Sequence, residues 1–337
     1  MQHTEVEQGV LNVYRKVNPS FVDIADKETY KKYEEELFNF LHFLGLPTQL
    51  FVGKKLIDIG GGTGEKTFFY SLWGADVTLL EPNELACQKA QELFLRNNRK
   101  INVINQSLYD IDSNILKDFD MLVCDGVLHH TFDPVVGLNM ILKSMKRGAV
   151  VIISMAEYHG WFKRNLQRSF VRERSTNEKE TIVLSKKYFQ EHLDRAVKFG
   201  LRTEEAVIAD TFINPQIQPT KLQTICRSFF QNGISYLAAY PTLNCFYQTN
   251  PWAQTKSNRF NYDAHQGYYQ FLEKMWMTCG EEDTRNSLLS FPLNALKERI
   301  DREFNKLCIN PFPEIYLPLI QKGYMGIGNH YFVGVKE

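Results

Sequence analysis

A chain of 337 residues is long enough for one large domain or for a core with substantial additions. Its 39 Lys and Arg balance 39 Asp and Glu, and a formal net charge of zero argues against nucleic-acid or membrane-surface binding as the main activity, because phosphate contacts dominate such binding. No apolar run approaches the roughly 20 residues that span a bilayer, and Met1 to Glu5 show neither the charged region nor the apolar core of a signal peptide. Cysteines stand at 87, 124, 226, 245, 279 and 308 with no C-x-x-C pair. That spacing reads as reduced thiols in a cytoplasmic protein and gives no reason to expect a metal site.

The first element with a clear period is a helix over 27–44. Tyr30, Tyr33, Leu37, Leu41 and Leu44 fall near helical spacing, and Gly45 and Pro47 stop it. The run Leu56-Ile57-Asp58-Ile59-Gly60-Gly61-Gly62-Thr63-Gly64 follows as a buried strand that breaks into a glycine-rich turn, with a helix from Glu65 to Trp73 behind it. Such a turn lets the backbone approach a ligand where any Cβ would clash, and the helix N-terminus offers free N–H groups.

Three nucleotide-like cofactors compete for this turn. The dinucleotide fingerprint needs a small residue three places after its second glycine, and Glu65 stands there facing the pyrophosphate. The phosphate-loop pattern is met by Gly60, Lys66 and Thr67, but its second glycine is again Glu65, a carboxylate that costs Coulomb energy beside phosphate. S-adenosylmethionine carries no phosphate, and Asp-x-Gly-x-Gly-x-Gly is complete in Asp58, Gly60, Gly62 and Gly64.

With those residues the chain resembles the class I S-adenosylmethionine-dependent methyltransferases. A second signature agrees. Ala75 to Leu80 reads as a second strand ending at Glu81, and the family's acid at that place holds the two ribose hydroxyls. A carboxylate can accept from both hydroxyls of a vicinal diol. The resemblance implies a third strand over 101–106, then Ser107 and Leu108 where relatives usually place an acid near the adenine. Asp110 is the substitute for that acid. Phe119 to Gly126 suits the fourth strand, and its Asp125 joins the cofactor ligands. A fifth strand follows the turn at Lys146 to Gly148. The matching stretch is about 50–155, and its continuous apolar runs suit a parallel sheet covered on both faces.

The implied fold is an α/β, Rossmann-like core of seven strands, mostly parallel with the last antiparallel, under a mainly helical cap. The expected boundaries are an N-terminal helical segment 1–48, a cofactor core 49–155, an insertion 156–218, a core helix and strand 219–243, a second helical insertion 244–325 and a final core strand 326–337. In the first insertion eleven Lys and Arg face five acids between 160 and 202. This is either a solvated helix face or a receiver for a carboxylated or phosphorylated substrate or an acyl carrier protein. Asp210 and Asn214 in its polar loop are candidate substrate ligands, or turn and cap residues with no further role. The second insertion is aromatic-rich, with Phe246, Trp252, Tyr268, Phe271, Met275 and Trp276. These residues serve a core, an acceptor pocket or a homodimer contact.

Methyl transfer from a sulfonium is an in-line displacement, so the protein mainly aligns the acceptor. A base is needed only for an acceptor that is protonated at working pH. His129 and His130, just past the fourth strand, are the first candidates, and Tyr158 and His159, just past the fifth, the second. The expectation is a cytoplasmic methyltransferase using S-adenosylmethionine and a small-molecule acceptor, with no nucleic-acid or membrane partner. A methyltransferase for a carrier-bound or macromolecular acceptor and a non-catalytic cofactor-binding scaffold are the alternatives.

Overall fold

The structure is a computed structural model describing residues 2–241, 293–309, 311–321 and 328–337. Its centre is a seven-stranded sheet in the order β3-β2-β1-β4-β5-β7-β6. The strands are β1 (Lys55–Ile59), β2 (Asp76–Leu80), β3 (Asn102–Ile104), β4 (Met121–Asp125), β5 (Val150–Ala156), β6 (Ile234–Tyr240) and β7 (Asn329–Lys336). Strands β1 to β5 pair in parallel, and β7 runs antiparallel to both β5 and β6. This is the expected sheet, with the reversed strand inserted between β5 and β6.

Alternation within the central strands explains why they are apolar throughout. Ile57, Ile59, Leu122, Cys124, Val151 and Ile153 enter one core, while Leu56, Val77, Met121, Val123, Ile152 and Val333 enter another. Each face is therefore sealed by its own helices, as parallel sheets require. The second core takes Leu37 and Leu41 from helix α2 (Lys27–Phe43) and Leu44 just after it, preceded by a helix α1 (Gln2–Tyr14) that lies inside the expected helical segment 1–48 but outside its one periodic stretch.

The helices between strands begin on identifiable caps. After α3 (Glu65–Leu72), the Asn83 side chain accepts from the Leu85 N–H at the start of α4 (Glu84–Arg96). Asp133 accepts from Val135 and Val136 at the start of α5 (Pro134–Ser144), where Pro134 has no N–H to leave unpaired. Beyond β5 the chain leaves the sheet through α6 (Tyr158–Arg172), α7 (Glu178–Gly200) and α8 (Glu204–Ile208), and returns through α9 (Leu222–Gln231) into β6. Of the second insertion, a helix Leu293–Leu307 and a short helix Leu317–Gln321 are described. Phe246, Trp252, Tyr268, Phe271, Met275 and Trp276 lie outside the described residues. Among the described residues no helix is long and apolar enough to cross a membrane, and no group of three or more His, Cys, Asp or Glu could hold a metal ion.

Candidate active site

The glycine turn at the end of β1 has the geometry its composition calls for. Gly60 and Gly62 sit at φ +71° and +59°, in the left-handed region that side chains avoid. A Cβ at Gly60 would fall 2.5 Å from Val127 Cγ2. The turn's N–H groups are then available, and one of them organises the next residue. Gly62 N donates to Glu81 Oε2 at 3.0 Å, and Asn83 N donates to Glu81 Oε1 at 2.9 Å. Two backbone donors fix the carboxylate while it still faces the cavity. Burial outweighs these donors and pushes the Glu81 carboxyl up to about 7.

Two acids of the motif turn away from the ligand side. Asp58 is buried behind the turn, accepts from Thr67 Oγ1 at 2.6 Å, and is pushed up to about 6 by burial. Glu65 is also buried, accepts from Thr63 Oγ1 at 2.7 Å, and does not line the cavity. The carboxylate read from sequence as facing a pyrophosphate is thus tucked under the first turn of α3.

One cavity of about 770 Å³ runs from the glycine turn to a polar cluster under the cap. Gly60, Gly62, Glu81, Leu108 and Asp125 line one part of it. Lys66 is paired with Asp125, whose other oxygen accepts from Ser154 Oγ at 2.5 Å. Burial opposes both charges, but each holds the other: the Asp125 carboxyl stays below its usual range and the Lys66 ammonium above. Tyr33 and Leu37 of α2 both pack into the second core and line the cavity.

The other part of the cavity is built around Asp210. The segment Ala209–Ile213 forms a single π-helical turn, closed by Asn214 N donating to Ala209 O at 2.8 Å. That turn brings Asp210 and Asn214 onto the same histidine. His130 Nε2 lies 3.3 Å from Asp210 Oδ1, and its Nδ1 lies 2.9 Å from Gln216 O and 3.0 Å from Asn214 Nδ2. Tyr14 donates to Asp210 Oδ1 at 3.0 Å and accepts from Asn214 Nδ2 at 2.7 Å. Arg202 Nη1 donates to Asp210 Oδ2 at 3.1 Å. Burial alone would raise the Asp210 carboxyl; the His130 hydrogen bond and the charges of His130 and Arg202 hold it well below the usual carboxylate range. Burial and the Asp210 charge keep the Tyr14 phenol protonated as a donor.

His129 is different. Its ring is buried, and its Nδ1 accepts from Ala156 N at 3.3 Å, which leaves the proton on Nε2. Burial and the neighbouring His130 depress it well below the ordinary histidine range, so it is a neutral donor.

The remaining expected residues separate. Ser107 is buried with its Oγ accepting from Tyr109 N at 3.2 Å, and only its neighbour Leu108 lines the cavity. Tyr158 and His159 do not line it. His159 is fully buried between Glu157 Oε1 at 3.2 Å and Asp301 Oδ1 at 3.1 Å, so it ties the Leu293–Leu307 helix to the root of α6. Burial would discharge the ring, but the Glu157 charge prevails and raises it to about 8. The basic run also divides. Buried Arg168 and exposed Arg172 donate to the carbonyls of Phe212, Thr211 and Asn214, holding the π turn, while Arg164, Arg195 and Arg202 line the cavity. Tyr14, Arg164, Arg195 and Arg202 were not singled out by sequence reasoning. No motif marks them, and only the excess charge of 160–202 pointed to the arginines.

Residues 57–151 match the family model described as a methyltransferase domain. This stretch is similar to a methyltransferase domain, and it holds the glycine turn, Glu81 and Asp125. Over 200 residues the chain is 25% identical to an uncharacterized protein of Synechococcus sp., a match covering 54% of this chain and 48% of the relative. The chain thus spans about half the length of the curated relative it matches. Among solved structures it is similar to PKMT2 from Rickettsia typhi, with 15% identity, coverage of 84% of this chain and 48% of that chain, and a TM-score of 0.49. It is also similar to magnesium protoporphyrin IX methyltransferase (ChlM) from Synechocystis PCC 6803 with bound SAM, with 13% identity, coverage of 70% and 84%, and a TM-score of 0.39.

Proposed function

We propose that the protein transfers a methyl group from S-adenosylmethionine to a small-molecule acceptor bound under the helical cap. The observation that carries this reading is the single cavity lined at one part by Gly60, Gly62 and Glu81 and at another by Tyr14, His130 and Asp210. Its volume of about 770 Å³ lies within the roughly 300–1,000 Å³ usual for small-molecule sites. The cofactor fits the first part: the turn has no room for side chains, and the anchored Glu81 carboxylate suits a ribose diol. Lys66 and Asp125, a fixed pair of opposite charges at the same end, suit the two charges of an amino-acid moiety.

The bound cofactor supplies a methyl group already activated on a sulfonium. The chain's own contribution is to align the acceptor and to manage its proton. His129 presents an N–H to the cavity and orients an acceptor oxygen or nitrogen. The His130–Asp210 pair is the proton-handling group on this side of the cavity.

The test is calorimetric titration of the purified chain with S-adenosylmethionine, S-adenosylhomocysteine, ATP and NAD in parallel. Micromolar binding of the first two alone supports the reading, and binding of ATP alone overturns it.

A further inference from the structure

We propose that His192 selects the acceptor: its Nε2 accepts a hydrogen bond from an uncharged O–H or N–H group that the acceptor carries. This rests on the methyltransferase reading and names a feature of the substrate for the same cavity. The His192 ring is buried and lines the cavity from α7. Its proton is fixed by a short chain of bonds. Gln167 of α6 donates from Nε2 to the Ile320 carbonyl at 2.5 Å, and a carbonyl oxygen can only accept. The other end of that amide, Gln167 Oε1, lies 2.7 Å from His192 Nδ1. An amide oxygen has no proton to give, so the hydrogen of this contact sits on Nδ1. A neutral imidazole has one such hydrogen, which leaves Nε2 with a lone pair. No group among the described residues donates to that nitrogen.

The cavity thus holds two neutral imidazoles of opposite sense. His129 accepts from Ala156 N through Nδ1 and keeps its proton on Nε2, whereas His192 donates through Nδ1 and keeps a lone pair on Nε2. Trp161, which also lines the cavity, stands 5.6 Å from the His129 ring, centroid to centroid. A ligand that meets both histidines offers an acceptor atom at one place and an O–H or N–H at another. Burial, followed by the charges of Arg164, Lys163, Arg195 and Arg202, drives the His192 ring down to about 3. It therefore holds the acceptor and does not deprotonate it. Burial works equally against an ammonium donor, so the group it receives is uncharged. An analogue that lacks the donor strands the lone pair, which is how a site built for an O–H or N–H rejects the molecule without one.

The experiment uses the full chain with isotope-labelled histidine, loaded with S-adenosylhomocysteine. Long-range proton–nitrogen NMR reads the tautomer, and His192 is expected to carry its proton on Nδ1 without titrating between about pH 5 and 8. Two probe pairs are then titrated in: 2-pyridone with N-methyl-2-pyridone, and guaiacol with veratrole. Each pair keeps an acceptor oxygen and removes the donor by methylation. The donor-bearing member is expected to bind about tenfold more tightly and to shift the His192 Nε2 resonance. H192F removes that nitrogen and should abolish the preference, while H192Q, which can turn an amide oxygen to the same place, should keep part of it. S-adenosylhomocysteine affinity stays the same in both. The tautomer is read on the wild-type chain, so the test stays open if a variant fails to fold. A proton on Nε2, equal binding within both pairs, no binding of either donor-bearing probe, or a preference that survives H192F overturns the inference while leaving the cofactor reading intact. If the wild-type chain does not bind S-adenosylhomocysteine, both fall together.

Discussion

The turn, Glu81 and Asn83 that line the proposed cofactor end of the cavity come from β1, β2 and the residues just after them, a contiguous run of chain. The cluster around Asp210 is assembled from the N-terminal helix, the loop after β4 and the cap, and its Tyr14–Asn214 bond spans 200 positions. The first region owes its geometry to local backbone: strand, tight turn, helix. The second owes it to packing, because apart from the Arg202–Asp210 pair within the cap its members meet only when α1, the loop after β4 and the cap come together. A site of the first kind should lose function without losing the fold. A site of the second kind should couple ligand, stability and the placement of the cap.

Four perturbations break or sharpen that contrast. The largest effect is expected for Glu81→Ala, which removes an ionised acceptor of two ribose hydroxyls. At roughly 1.5–3 kcal/mol for each charged hydrogen bond, affinity for S-adenosylhomocysteine should fall about 100-fold or more by calorimetry. The melting temperature should stay near that of the wild type. Undiminished affinity would show that the ribose lies elsewhere.

His159→Ala is the converse. It leaves Glu157 and Asp301 facing a void, and it should cost about 3 kcal/mol in denaturant unfolding while the loaded protein keeps its cofactor affinity. The sign with pH follows from the raised value. The protonated ring stabilises the fold, so the wild-type advantage is fully present below about 6.5 and is lost as pH rises through about 8. A loss of turnover with unchanged stability would restore His159 to the catalytic set.

The third test is the pH dependence of cofactor affinity. In the free protein Glu81 is protonated below about 7, and that proton favours the fold until pH rises through 7. Ribose hydroxyls need the carboxylate. Binding should therefore be strongest above pH 7 and weaken by up to about tenfold per pH unit below it. Glu81→Gln should flatten the profile, and a wild-type profile already flat from pH 5.5 to 8 would refute the assignment. The smallest effect is expected for Tyr14→Phe. It removes one hydroxyl between Asp210 and Asn214, and about 1 kcal/mol of stability should go with it. Turnover with an identified acceptor should fall more than cofactor affinity.

Legibility in the sequence follows the same division. The Asp58 to Gly64 pattern and the acid at Glu81 are spaced by backbone requirements, so residue order alone exposed them, and the apolar runs exposed the sheet. Helix α1 did not stand out, because its burial depends on the cap it meets: Val10 and Leu11 are buried, but the helix as a whole is only weakly amphipathic. The charge of 160–202 was visible, yet its sorting was not. Whether Arg168 faces carbonyls and Arg195 faces the cavity is decided by how α6 and α7 pack. Asp210 and Asn214 stood out as a polar pair, and residues four apart share a helix face, but that this face meets His130 is decided by how the cap packs.

Glu157, the residue after β5, gathers more of the molecule than its position in the chain suggests. Its carboxylate, fully buried, accepts from His159 N and Gly160 N at 2.8 Å each, from Leu222 N at 3.2 Å, and meets the His159 ring. Departing and returning chain are thus pinned to one side chain at the C-terminal end of β5, like two straps under a single rivet. Bending of the cap is left to places farther out, such as Phe189, where α7 departs from helical geometry at φ −131° and ψ 29°. The arm beyond that joint carries His192 and Arg195, so this wall of the cavity takes its direction from the bend at Phe189.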